Sequence, residues 1–99
     1  MLMKWTWDDA KSASNKIKHK LGFDLAVYAF DDPLHITLPD PCEGEERWRT
    51  FGQIQHVLIL VVHTDPLLDN GRVLKPGRII SARRATSHER RLYEESIYG

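Results

Sequence analysis

At 99 residues the chain suits one domain with one modest core and has little room for a separate cofactor module. Its apolar share of 41% and charged share of 28% are those of an ordinary globular protein, and no apolar run nears the roughly 18 residues of a membrane span. A formal net charge of zero argues against an indiscriminate nucleic-acid binder. In chain order, Met3, Trp5 and Trp7 alternate with Lys4 and Thr6 as in a half-buried first strand. Asp8 or Asp9 then caps a helix whose apolar positions Ala10, Ala13, Ile17 and Leu21 fall at helical spacing, with lysines opposite and Gly22 as the stop. A second short helix is expected from Asp24, with Phe23 and Tyr28 as a hydrophobic staple, ending at Asp32 before Pro33.

Beyond Pro33 the period changes to two. Leu34–Leu38 reads as a strand, Pro39–Glu46 as a polar loop, and Arg47–Gln53 as the next strand. Val57–Thr64 is apolar on both faces and belongs at the sheet centre. The polar excursion Asp65–Gly77 is rich in turn formers and leads to a last strand, Arg78–Arg84. Thr86 with Glu89 makes a capping box for a final helix. The expected whole is a single α+β domain spanning 1–99: a small antiparallel sheet with two N-terminal helices and a C-terminal helix.

Charge is unevenly placed. From Leu21 to Glu46 there are seven acidic residues and no lysine or arginine, while from Arg72 to Arg91 a lone Glu89 faces seven cations. These are either two solvated faces of opposite sign or a basic active face with an acidic flank. The stretch RIISARRATSHERRLYEE runs a strand carrying arginines into a helix carrying more, which sets cations where phosphate oxygens can be held. Strand parity, with Trp48, Ile80 and Ala82 inward, places Arg47, Arg49, Ser81 and Arg83 together on the open face and Arg78 and Arg84 at the ends of the core face. A bulge would invert that register.

Other chemistries have weaker support. His56 and His63 lie seven apart and face opposite ways, and no HExxH or Cys/His pattern occurs, so no metal and no cofactor are expected. His63 at the exit of the central strand and His19 near the end of the first helix are each able to move a proton near neutral pH. Glycine loops for phosphate and the serine-hydrolase elbow are missing. Asp31 and Asp32 read as a helix stop rather than a glycosidase pair. The single cysteine, Cys42, closes no internal disulfide and sits among glutamates, which fits a reducing compartment and gives no reactive thiol. The start, MLMKWTWDDAKSAS, turns acidic too soon for a secretory signal, and a cytoplasmic protein is expected.

The ordered blocks WTWDDAKSASNKIKHKLGFDLAVYAFDDP, GEERW with Gly52, VVHT, and RIISARRATSHERRLYEE resemble the BrnT family, toxins of BrnT/BrnA type II toxin-antitoxin modules. The resemblance covers most of the chain. It implies a RelE-like α+β fold, metal-independent endoribonuclease activity that inhibits translation, and a BrnA-like antitoxin encoded alongside. That antitoxin's dimerisation would give a heterotetramer. Lys18 and His19 fall on the family's lysine-histidine pair, Arg47 on its strand arginine, Ser81, Arg83 and Arg84 on its terminal strand motif, and Glu89, Arg90 and Tyr93 on its helix motif. Two departures stand out: Lys20 occupies a place often held by glycine, which moves the expected helix stop to Gly22, and the excursion Asp65–Gly77 is longer than usual.

The implied reaction is attack of an RNA 2′-hydroxyl on its own 3′-phosphate. Arg47 and Arg83 would stabilise charge, His19 or His63 carry the proton, and Tyr93 donate a proton or stack a base. Lys18, Arg49, Ser81, Arg84 and Arg90 would grip RNA. A module that binds RNA or a partner without chemistry is the competing reading, and it draws on the same arginines.

Overall fold

The computed structural model describes residues 4–41 and 44–98; Met3 and Cys42 lie outside them. The elements are β1 (Trp5–Thr6), α1 (Asp9–His19), α2 (Phe23–Ala26) running into a 3-10 turn (Val27–Asp31), β2 (Ile36–Asp40), β3 (Arg47–Ile54), β4 (Val57–His63), β5 (Leu67–Asp69), β6 (Arg72–Lys75), β7 (Gly77–Arg84) and α3 (Ser87–Tyr98). Five strands form one sheet in the order β1-β7-β4-β3-β2, with β1 parallel to β7 and the remaining pairs antiparallel. The central strand is β4, as its two-sided apolar pattern requires. Ile59 and Val61 pack beneath the N-terminal helical segments with Phe23, Ala26, Ala29 and Ala82, while Leu58 and Leu60 pack with Phe51 against Tyr93 of α3. The molecule is α+β, with helices on both faces.

The first helix docks by polar side chains. Asp8 is its cap, accepting from the N–H groups of Ala10 and Lys11 at 2.8 and 3.1 Å. Its buried side chain is Asn15, whose Nδ2 donates to the carbonyls of Leu21 and Ala82, both at 2.7 Å. Ser12 Oγ accepts from the Phe23 N–H at 2.9 Å. Ala10, Ala13 and Ile17, expected inward, face solvent, and Ile17 is 84% exposed. The reason is that the sheet edge and the α1–α2 loop present backbone groups that need hydrogen-bonding partners, which alanine and isoleucine cannot supply. The helix also stops earlier than expected: Lys20 itself takes the left-handed conformation (φ 58°), so the place often held by glycine keeps its role with a lysine in it.

Three further expectations change. Phe23 is fully buried and Tyr28 is 56% exposed, so no staple joins them, and the second helix tightens into 3-10 geometry after Ala26. On β7 the register shifts opposite Val62 and His63, so Ile79 pairs with His63, Ser81 with Val62, and Ile80 is the extra residue. Ile79 and Ala82 therefore share the N-terminal core although three apart. Ile80 is only half-buried, and Arg78 turns to the α3 side. The excursion after Asp65 contains a hairpin, β5–β6, whose Asn70–Gly71 turn has positive φ at both residues (51° and 81°), the turn that suits twisted strands. Finally, Gly52 lets the 3-10 turn lie against β3, because a Cβ there would overlap the Ala29 carbonyl oxygen.

Candidate active site

The α3 side of the sheet carries a row of arginines. Arg47 and Arg49 alternate with Trp48 on β3, and the pairs Arg49–Val62, Val62–Ser81 and Leu60–Arg83 set Arg49, Ser81 and Arg83 on the same face. The bulge adds Arg78, which holds Glu45 at 2.9 and 3.1 Å while Arg47 Nε holds the same carboxylate at 3.0 Å. Hydrogen bonds from Arg47 and then Arg78 keep the Glu45 carboxyl below its usual range. Arg49 lies 3.6 Å from Asp40, and its buried Nε has no hydrogen-bond partner among the described residues. Arg83 forks onto Glu89 at 2.8 and 3.0 Å. Glu89 is also the acidic half of the capping box, accepting from the Thr86 N–H at 2.8 Å. The Arg83 fork, chiefly, draws the Glu89 carboxyl down to about 2, and the same bonds raise Arg83 above its ordinary value. Each arginine in this row is thus matched by a carboxylate.

Two other nominated residues are committed elsewhere. Tyr93 is 2% exposed, and its hydroxyl donates to Asp32 Oδ2 at 2.6 Å. Asp32 also accepts from the N–H groups of Gln53 and Leu34, at 2.8 and 2.9 Å. Burial opposes ionisation of Asp32, but bonds from Tyr93, Gln53 and Leu34 outweigh it and hold the carboxyl low. Burial, then Asp32, pushes Tyr93 up to about 12. Tyr93 pins α3 to the 3-10 turn and has no open face for a base.

His63 lies on the opposite side of the sheet from the arginine row, 2% exposed, with Trp5 and Phe30 edge-on at 5.0 and 4.9 Å. A carbonyl can only accept, so Nδ1–H donates to Thr64 O at 3.1 Å and Nε2 accepts from Thr50 Oγ1 at 2.6 Å. Burial lowers the imidazole pKa, against the Thr64 carbonyl and Asp65. His63 therefore shares no ligand position with Arg47 or Arg83.

A histidine and an arginine do meet at the far end of that helical side. Arg84 pairs with Ile59 and so points toward the N-terminal helices. There it joins His19 and Lys20 around a cleft of about 180 Å³ floored by Leu21, Leu25, Ile54, Val57 and Ile59. One jaw is the end of α1, held open by the left-handed Lys20. The other is the β3–β4 turn, where Gln55 and His56 have φ of 47° and 71°. His19 is half-buried, Arg84 is exposed, and the Arg84 guanidinium has no carboxylate partner among the described residues. Lys18 is exposed one residue before His19. Arg90 stands apart on α3, 3.7 Å from Glu94.

A family model described as the ribonuclease toxin BrnT of type II toxin-antitoxin systems matches residues 7–89. The chain belongs to the BrnT family. No curated protein matches it. As a BrnT chain it sits among ribonuclease toxins, whose modules pair the toxin with an antitoxin and whose target is RNA. The residues nominated from the sequence are thereby separated: Arg47, Arg49, Ser81 and Arg83 lie on the α3 side, His19 and Arg84 line the cleft, Lys18 is exposed beside His19, Arg90 stands on α3, and His63 and Tyr93 are buried. Sequence reading missed the counter-ions Glu45 and Asp40 and the Asp32 partner of Tyr93. The available signal was the acidic block itself, since carboxylates that near a set of arginines tend to neutralise them.

Proposed function

We propose that this BrnT-family chain is a metal-independent endoribonuclease that blocks translation, with His19, Lys20 and Arg84 at its centre. The observation that carries this reading is that His19 and Arg84, a proton carrier and a guanidinium with no carboxylate partner among the described residues, line one open cleft with an apolar floor. The 2′-hydroxyl gives its proton to His19 as its oxygen attacks the adjacent phosphorus. Arg84 stabilises the crowded phosphorane. The bond to the 5′-oxygen breaks as Lys20 donates a proton to it, leaving a 2′,3′-cyclic phosphate and a free 5′-hydroxyl. The attacking oxygen belongs to the substrate, so the chemistry calls for no metal, and DNA lacks the nucleophile. A BrnA-like antitoxin encoded next to the toxin would silence it, its own dimerisation bringing two toxins into a heterotetramer.

Purified protein given RNA in EDTA should yield cyclic phosphate ends and leave DNA intact. Arg84→Ala should slow cleavage roughly 10²–10³-fold, and His19→Ala by a similar factor, each with an unchanged melting temperature. Arg83→Ala is expected to act mainly on stability, through loss of the Glu89 fork. A second reading, RNA binding without cleavage, draws on the α3-side arginines, of which Arg49 keeps about a third of its side chain exposed beside Asp40. RNA that stays whole in EDTA, yet is retained by wild type and released by Arg49→Ala, would install that reading instead.

A further inference from the structure

The other end of the helical side holds a second cavity, of about 320 Å³, at the lower end of the roughly 300–1,000 Å³ typical of small-ligand sites. It lies about 20 Å along β4 from the cleft, a span of a few nucleotides. Its walls are Trp5 and Phe30, stacked on each other at 3.9 Å, together with Leu68 of the β5–β6 hairpin. Its floor is a hydrogen-bond chain in which Thr37 Oγ1 and Thr50 Oγ1 are 2.8 Å apart and Thr50 leads to His63. That chain is saturated at the His63 end, so ligand recognition falls to the rim. There the cavity offers Lys4, which only donates, Asp65, a 55% exposed carboxylate that only accepts, and the exposed His35, whose Nδ1–H donates to the Asp32 carbonyl at 2.7 Å and whose Nε2 is left to accept.

This rim selects among the bases. Guanine presents the O6 acceptor beside two donors, N1–H and N2–H, along its pairing edge. Adenine would set its N1 lone pair against the carboxylate, cytosine would set N3 and O2 there, and uracil has one donor between two acceptors. We propose that this cavity is a guanine-binding subsite, in which Asp65 accepts from N1–H and N2–H, Lys4 donates to O6, and Trp5, Phe30 and Leu68 enclose the ring. That the guanine belongs to an RNA strand rests on the ribonuclease reading; guanine binding itself does not. The long excursion after Asp65 acquires a role: its hairpin supplies a wall of the subsite.

The test titrates guanosine, adenosine, cytidine and uridine 5′-monophosphates into the full chain by calorimetry. Guanosine monophosphate should bind roughly tenfold or more tightly than the others. Asp65→Asn, a change at an exposed position, should erase that preference, and Lys4→Ala and Leu68→Ala should each weaken guanosine monophosphate severalfold without moving the melting temperature. Equal affinity for all four, no binding, or a preference that survives Asp65→Asn overturns the subsite. Guanine preference in a chain that leaves RNA uncut upholds the subsite and removes only the nuclease reading. RNA cleavage without guanine preference does the reverse.

Discussion

Asn15 does for α1 what an apolar stripe does for most surface helices. Its amide reaches the carbonyls of Leu21 and Ala82 at 2.7 Å, and its oxygen accepts from the Ala82 N–H at 3.5 Å. Replacing it with leucine of similar bulk would leave buried backbone groups without partners, at about 1–3 kcal/mol each. Asn15→Leu should therefore lower stability by roughly 2–4 kcal/mol, whereas Ile17→Ser, on the outward face, should change it by no more than about 0.5 kcal/mol. Denaturant melts of the two variants decide the point; equal losses would mean that α1 docks through its apolar residues after all. Helical spacing alone pointed to Ala10, Ala13, Ile17 and Leu21, of which only Leu21, just past the helix end, is buried. Period identifies a stripe, but which stripe faces the sheet depends on what the sheet edge lacks, and here it lacks hydrogen-bond donors.

At the level of the element, α3 begins in an electrostatic knot of Arg83, Thr86 and Glu89 that joins the end of β7 to the helix. Glu89 titrates at about 2 in the folded chain against an ordinary 4.5, so the folded form binds fewer protons through this window. Its contribution is complete above about pH 4.5 and is lost as pH falls toward 2. Glu89→Gln should be less stable than wild type by roughly 1–3 kcal/mol at pH 7 and should show a flatter fall in melting temperature between pH 4.5 and 2. Parallel pH profiles for the two chains would show that the fork carries no weight. The capping box was readable from Thr86 and Glu89 three residues apart, and the two-sided β4 from its unbroken apolar run. The β5–β6 hairpin was not, because its strands are only three and four residues long and its polar turn dominates the composition. Nor was the bulge at Ile80, since an extra residue in β7 is set by its neighbour strand and leaves no mark on alternation.

For the molecule as a whole, the two opposed charge blocks of the sequence turn out to be partners. Glu45 of the acidic block bridges Arg78 of the basic block to Arg47, and Asp40 lies beside Arg49. The α3 side, which parity nominated as the basic face, is largely neutralised from within, and Arg84, without a carboxylate partner among the described residues, stands on the other side, in the core-face position that parity gave it. The arginines and histidines were identifiable by type from the chain alone. Their separation into distinct places depends on pairing between segments far apart in sequence, which no local pattern encodes. The same remoteness governs assembly. Trp5 and Thr6 pair in parallel with Gly77 and Arg78, so the first strand of the chain has no sheet to join until β7 exists. A nascent polypeptide leaving the ribosome therefore cannot complete either cavity: Trp5 lacks its seat, and Arg84 has not yet emerged. A ribonuclease ordered in this way stays unfinished until β7 has left the ribosome.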